Sequence, residues 1–317
     1  MHSGLVLERL GAVRGFVFDM DGTLVLGDRP RREPKGAGSD WTDERGTSEE
    51  GRRNLKGARR RAGQQSLGLR PLPGALEITR WAADRGLPFV VFTNGTMRSP
   101  AHYARTMREL GFPLPDEAMM TPASSAVRVF TRASYQRIML LGGEGIAEPL
   151  REAGLQVVPP APGAGADAVL AGWFPEFTMP ALEAACDAVW AGAELYSCSQ
   201  TPFFAVEGGR ALGTSRAISA MISSLTGCRV QVVGKPSLAA LRSAADRIGA
   251  RPDRLAVVGD DPELEVPMAH RGRSLAIAVG TGLGASSSYD DLPASRRPHL
   301  HVRGVDELLA ICEEGLE

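Results

Sequence analysis

The chain has 317 residues, 43% of them hydrophobic and 23% charged, with a formal net charge of −1. That is ordinary globular composition at a length of about two domains, and the near-neutral balance gives no general attraction to nucleic acid or to an anionic membrane. The longest apolar runs, such as 88–92, are strand-sized and far short of a membrane span, and residues 1–15 lack the sustained apolar core of a signal peptide. Four cysteines (Cys186, Cys198, Cys228, Cys312) are scattered with no CxxC pair and no disulfide-framework spacing, which points to reduced thiols in a cytoplasmic protein.

In chain order, the apolar run 15–18 leads into Asp19-Met20-Asp21-Gly22-Thr23-Leu24. The segment 29–70 then departs from the rest: it is dense in Arg, Glu and Gly, poor in large apolar residues, and basic on balance. It cannot bury enough surface to offset its ordering entropy, so disorder is expected, as a solvated insertion in preference to a docking arm for an anionic partner. A helix is predicted over 75–85, a strand over 88–92 running into Thr93-Asn94-Gly95, and a helix over 99–110. A strand over 136–141 passes through Gly142-Gly143-Glu144-Gly145 into a helix reaching about residue 153, and a strand over 168–171 leads to Gly172-Trp173-Phe174-Pro175. A helix over 178–191, extended chain over 194–197 and a helix over 214–225 follow. The run 229–233 enters Gly234-Lys235-Pro236, a helix covers 237–248, and 255–258 enters Gly259-Asp260-Asp261.

Near-continuous apolar strands alternating with helices predict an α/β fold with a doubly wound parallel sheet. Ligands bind beyond the carboxyl ends of strands in such sheets, where all four polar turns are expected to fall. The middle block has enough apolar positions for a small core of its own. The expected organisation is therefore 1–98 as the first part of the core, 99–210 as an inserted smaller α/β domain, and 211–317 as the second part.

Asp19 and Asp21, two residues apart at a strand end, project to the same side. Like charges that close are tolerated when a cation sits between them or one is protonated, and a hard dication such as Mg²⁺ suits carboxylate and carbonyl oxygens. One aspartate can then attack phosphorus while the other protonates the leaving oxygen and activates water. The alternative is an ordinary acidic turn after a buried strand; the Gly22-Thr23-Leu24 that follows and the apolar strand before weigh against it.

Phe18 through Leu24 resembles the first motif of the haloacid-dehalogenase superfamily, and Thr93-Asn94-Gly95 resembles the second. Gly234-Lys235-Pro236-Ser237 is similar to the third and Gly259-Asp260-Asp261 to the start of the fourth, all in the family's order. The inserted block resembles the C2 cap of subfamily IIA, which includes p-nitrophenylphosphatase-like, pyridoxal phosphate and phosphoglycolate phosphatases. The resemblance implies Mg²⁺-dependent hydrolysis of a small phosphorylated metabolite through an aspartyl-phosphate. It makes Asp19 the nucleophile, Asp21 the proton shuttle and Lys235 the charge partner of both Asp19 and the phosphoryl group. Thr93, Asn94 and Lys235 are then the phosphate-binding residues. Asp19, Asp21 (through its main-chain carbonyl) and Asp260 are the metal ligands. A homodimer through the cap is left open.

The pattern also departs from the family. Where a Thr-Asp pair is usual, this chain has Leu264-Glu265, so Asp261 and Glu265 stay open as metal ligands, as holders of metal-bound water, or as solvated residues. Trp173, Phe174 and Phe177 either face substrate or pack the cap. No histidine evidently pairs with Cys198 as an activating base, and the five histidines show no metal-ligand spacing. A phosphomutase, which returns the phosphoryl group to substrate, and a non-catalytic binding protein with an altered metal site remain as alternatives.

Overall fold

A computed structural model describes residues 2–27, 68–206, 209–286, 289 and 291–315. The disorder expected for 29–70 concerns residues that, apart from 68–70, lie outside those described. Residues 27–70 form a unit of their own, and the rest of the chain forms the other.

The strand Gly15–Asp19 is buried at every position, as an apolar run covered on both faces must be. It pairs in parallel with Phe89–Phe92 on one side and Leu255–Gly259 on the other. The six-stranded sheet runs Leu300–Val302, Leu275–Val279, Leu255–Gly259, Gly15–Asp19, Phe89–Phe92, Met119–Met120, with every pairing parallel. From Gly15–Asp19 the chain builds outward to one edge and later returns to build outward to the other. The strand order therefore reverses beside Asp19, where a doubly wound sheet opens a crevice.

Phe16 and Phe18 stack on one face at 5.4 Å, with Trp81 of helix Ala75–Asp84 edge-on to Phe16. The alternate residue Val17 packs on the opposite face with Val90, Phe92 and Val257, under Leu241 and Ala244 of helix Leu238–Ile248. That helix is closed at its start by Ser237, whose side chain accepts the Ala240 N–H, and at its end by Gly249 in the left-handed region.

A second parallel sheet of five strands runs Gln231–Val232, Glu194–Ser197, Ala168–Ala171, Arg137–Leu141, Gln156–Val158. Helices Met179–Trp190 and Thr214–Thr226 supply Leu182, Ala185, Ile218 and Ile222 to one face. Helices Pro122–Arg132 and Glu144–Glu152 supply Ala126, Phe130, Ile146 and Leu150 to the other. A hairpin of Phe203–Val206 and Gly209–Leu212 forms a separate antiparallel pair.

Sheet membership corrects two expectations. Helix Pro100–Glu109 leads back to Met119–Met120 of the first sheet, so the second sheet draws its strands from 137–232, not from 99–210. Gln231–Val232 pairs with Tyr196–Ser197 and so belongs to the second sheet. Only three of the four polar turns therefore end strands of the first sheet, and Lys235 arrives from the edge of the second. A two-residue strand carries no mark of which edge will take its hydrogen bonds.

Candidate active site

Strand Gly15–Asp19 delivers the Asp19 carboxylate, buried, at its carboxyl end. Its Oδ1 pairs with the Lys235 ammonium, and its Oδ2 accepts from the Thr23 hydroxyl at 3.2 Å. The chain then turns through Gly22, whose φ of 84° lies in the region side chains avoid. A Cβ at Gly22 would overlap the Asp260 carboxylate, so the turn and the Gly259-Asp260 loop need this glycine in order to approach.

Asp21 Oδ2 accepts from the Thr93 hydroxyl at 3.2 Å, and that hydroxyl oxygen accepts the Gly95 N–H at 3.1 Å. Asp21 is exposed at the mouth of this turn. Crowding and the Asp19 charge push its carboxyl up to about 6, against the opposing pull of Thr93 and Lys235.

Lys235 is 1% exposed. Its main chain is held by one side-chain amide: Asn94 Nδ2 donates to the Lys235 carbonyl at 3.0 Å, and the Lys235 N–H donates to Asn94 Oδ1 at 2.9 Å. A Cβ at Gly234 would overlap the Cys198 carbonyl oxygen, which accounts for glycine there. The ammonium lies between Asp19 and Glu265 Oε1, the latter at 2.7 Å, and 5.8 Å from the centre of the Phe92 ring. Burial alone draws the amine's pKa down; Asp19 and Glu265 outweigh it, so the net shift is upward and Lys235 stays charged.

Asp260 fits between Gly22 and Gly282, and its Oδ2 accepts the Leu283 N–H at 2.7 Å. Burial, then the Asp19 charge, raises its pKa. Glu265 is raised by burial and by Asp19, with Lys235 opposing. Asp261 is engaged locally, its carboxylate accepting the Glu263 N–H at 2.8 Å.

Two contributors were not anticipated from the sequence. Thr23, inside a motif already noted, holds the second oxygen of Asp19. The turn after Leu275–Val279 brings Thr281, whose hydroxyl donates to the Gly22 carbonyl at 2.5 Å, together with Gly282 and Leu283. Its signal was present: an apolar run entering Gly280-Thr281-Gly282, the same strand-to-polar-turn pattern as the other loops.

Among the described residues, no three His, Cys, Asp or Glu side chains group so as to hold a metal ion. The carboxylates of Asp19 and Asp260 would be the side-chain donors to such an ion, with main-chain or solvent oxygens completing the set. The charge balance supports a cation in this place. Asp19 and Glu265 share the ammonium of Lys235, and burial with the Asp19 charge raises the carboxyl groups of Asp21, Asp260 and Glu265. An oxygen-only donor set short of positive charge fits a hard dication.

The second sheet meets the site at the Thr96–Arg98 loop. Thr96 Oγ1 accepts the Trp173 N–H at 3.3 Å, and Gly145 lies so close that a Cβ would overlap the Thr96 carbonyl and the Arg98 backbone. Phe174 and Phe177, both half-buried, pack against the second sheet's own cluster, 6.4 Å apart and edge to face. The Cys198 thiol is buried and pushed up to about 12, which makes it a poor nucleophile.

Residues 66–156 match the family model described as haloacid dehalogenase-like hydrolase, and residues 232–308 match a second, described as HAD-hydrolase-like. The chain belongs to the haloacid-dehalogenase superfamily. It is 27% identical to chronophin of Bos taurus over 268 residues, spanning 79% of this chain and 89% of that one. It is 24% identical to the acid sugar phosphatase of Staphylococcus epidermidis, spanning 74% and 89%. The crystal structure of 4-nitrophenylphosphatase from Thermotoga maritima shares the fold at a TM-score of 0.72 and 23% identity, over 95% of this chain and 98% of that one. Within the superfamily the chain falls in the C2-capped subfamily IIA, among the phosphoric monoester hydrolases.

Proposed function

We propose that the protein hydrolyses a small phosphorylated metabolite by way of a phosphoryl group carried on Asp19, with Mg²⁺ required. The observation that carries this reading is the pairing of the buried Asp19 carboxylate with the Lys235 ammonium at the strand-order reversal, with Asp21 beside it. Asp19, Asp260 and the main-chain carbonyl of Asp21 are the groups that would hold the metal. Bound there, it supplies positive charge that offsets repulsion between an anionic nucleophile and an anionic substrate.

Asp19 attacks phosphorus while Lys235 steadies the charge that grows on the phosphoryl oxygens. Asp21, raised to about 6, holds a proton often enough near neutral pH to give it to the leaving oxygen. It then takes one from the water that releases phosphate from Asp19. The Asn94 side chain is committed to Lys235 and the Thr93 hydroxyl to Asp21. Phosphate contact at this turn therefore falls to main-chain N–H groups, and Thr93 sets the Asp21 carboxyl. Four unpaired thiols accord with a reducing cytoplasmic setting, and dimerisation through the inserted layer is checked by sedimentation.

The test is turnover of p-nitrophenyl phosphate with Mg²⁺, with EDTA, and after Asp19→Asn. Turnover should need the metal and vanish in the variant while the circular dichroism spectrum is kept. Near-native activity in Asp19→Asn would refute the nucleophile. In ¹⁸O water the label should appear in released phosphate, which also separates hydrolysis from phosphoryl return to substrate.

A further inference from the structure

Glu265 stands where the family usually places an aspartate near its metal. Here it opens helix Glu265–Gly272 and is 1% exposed. Its side chain lies across Gly259, where a Cβ would overlap its Cγ, and this flat path carries the carboxylate toward Lys235. Oε2 accepts the Asp261 N–H at 3.2 Å. Oε1 lies 2.7 Å from the Lys235 ammonium, and among the described residues no hydrogen-bond donor is aligned on it. Both oxygens thus face protein, one toward a loop N–H and one toward a buried cation.

We infer that Glu265 is a positioning residue for Lys235 and not a ligand of the metal. The proposal rests on the reading of Lys235 as the charge partner of Asp19. Asn94 fixes the main chain of Lys235 and Asp19 takes one side of its ammonium. With Asp19 as sole partner, a flexible lysine can follow that carboxylate wherever it moves. A second, rigidly mounted carboxylate fixes the ammonium where it must meet both Asp19 and the phosphoryl oxygens. The extra methylene of glutamate provides the reach across Gly259, which an aspartate lacks.

The experiment compares Glu265→Gln, Lys235→Met and the double variant in the full-length chain. Glu265→Gln should lower kcat for p-nitrophenyl phosphate about 10- to 100-fold at saturating Mg²⁺, as loss of an orienting partner does. KM, and the Kd for Mg²⁺ measured calorimetrically without substrate, should stay within about threefold, inside the tenfold loss that removing a metal-site group brings. In the Lys235→Met background, Glu265→Gln should cost no further activity, because both changes act through one ammonium.

Stability supplies an arm that needs no activity. Lys235→Met leaves Glu265 buried without its cation and should lower Tm by roughly 10 °C, and adding Glu265→Gln should recover part of that loss. Tenfold or greater weakening of Mg²⁺ binding, with activity restored by excess metal, would overturn the proposal. So would additive effects on kcat, or a double variant less stable than Lys235→Met alone. If the unmodified protein fails to turn over p-nitrophenyl phosphate, the proposed activity is at fault, and the stability cycle by itself decides Glu265.

Discussion

In the proposed reaction Asp21 must hold a proton at one step and lack it at the next, so what surrounds its carboxyl matters more than its presence. Crowding and Asp19 raise it to about 6, while the Thr93 hydroxyl draws it back. Thr93→Val removes that hydrogen bond, and the Asp21 pKa moves further up. The pH–rate limb that reports Asp21 should shift to higher pH, and kcat should fall about 10- to 100-fold, the worth of a hydrogen bond to a charged group. Thr93→Ser should restore both, and a pH series of kcat for the three proteins checks it. Residue types were legible at this scale, and the structure sets Asp19 against Lys235, Asp21 against Thr93 and Asp260 against Gly22. The destinations of Asn94 and Glu265 were not legible, since each reaches a residue far off in the chain or across a loop whose path the sequence does not record.

At the scale of elements, strands proved easier to read than their partnerships. Ala168–Ala171 and Glu194–Ser197 match the expected 168–171 and 194–197, and the helices fall within a residue or two. Helix Pro122–Arg132 went unread, although Thr121 and Ser124 form a capping box and Pro122 opens it. The last strands make a testable joint. His299 Nδ1 accepts the Ala276 N–H at 2.8 Å, and the His270 ring lies 4.8 Å from that of His299. Burial, then the charges of Arg9 and His270, lower the His299 pKa from 6.5 to about 4. Below pH 6.5 the unfolded chain takes up a proton that the folded chain refuses. The stability this gives is thus full above pH 6.5 and lost as pH falls toward about 4. His299→Asn keeps an acceptor for Ala276 and removes the titration. Its urea midpoint should vary less between these pH values than that of the unmodified protein.

Across the whole molecule, the layers of the two sheets meet at loops and at helices, where Arg128 and Arg132 of one pair with Asp246 of the other. Gly145 abuts the Thr96 carbonyl and the Arg98 backbone, and Trp173 donates to Thr96. Backbone atoms cannot rotate away, so Gly145→Ala should cost about 1–3 kcal/mol as overpacking does. It should also raise KM for p-nitrophenyl phosphate by shifting the second layer off the loop that follows Thr93, which thermal unfolding and steady-state kinetics measure. The amino-acid sequence by itself determined the α/β class and the parallel first sheet, and it marked the polar turns at which reactive side chains are proposed. Apolar runs, polar turns and carboxylate spacing are local, and local physics reads them. Only the tertiary structure decided that Lys235 comes from the edge of the second sheet, that Thr281 to Leu283 close the site, and that Glu265 faces an ammonium. A short strand's partner, and the partner of a buried charge, depend on which distant chain arrives to take the hydrogen bond or offset the charge.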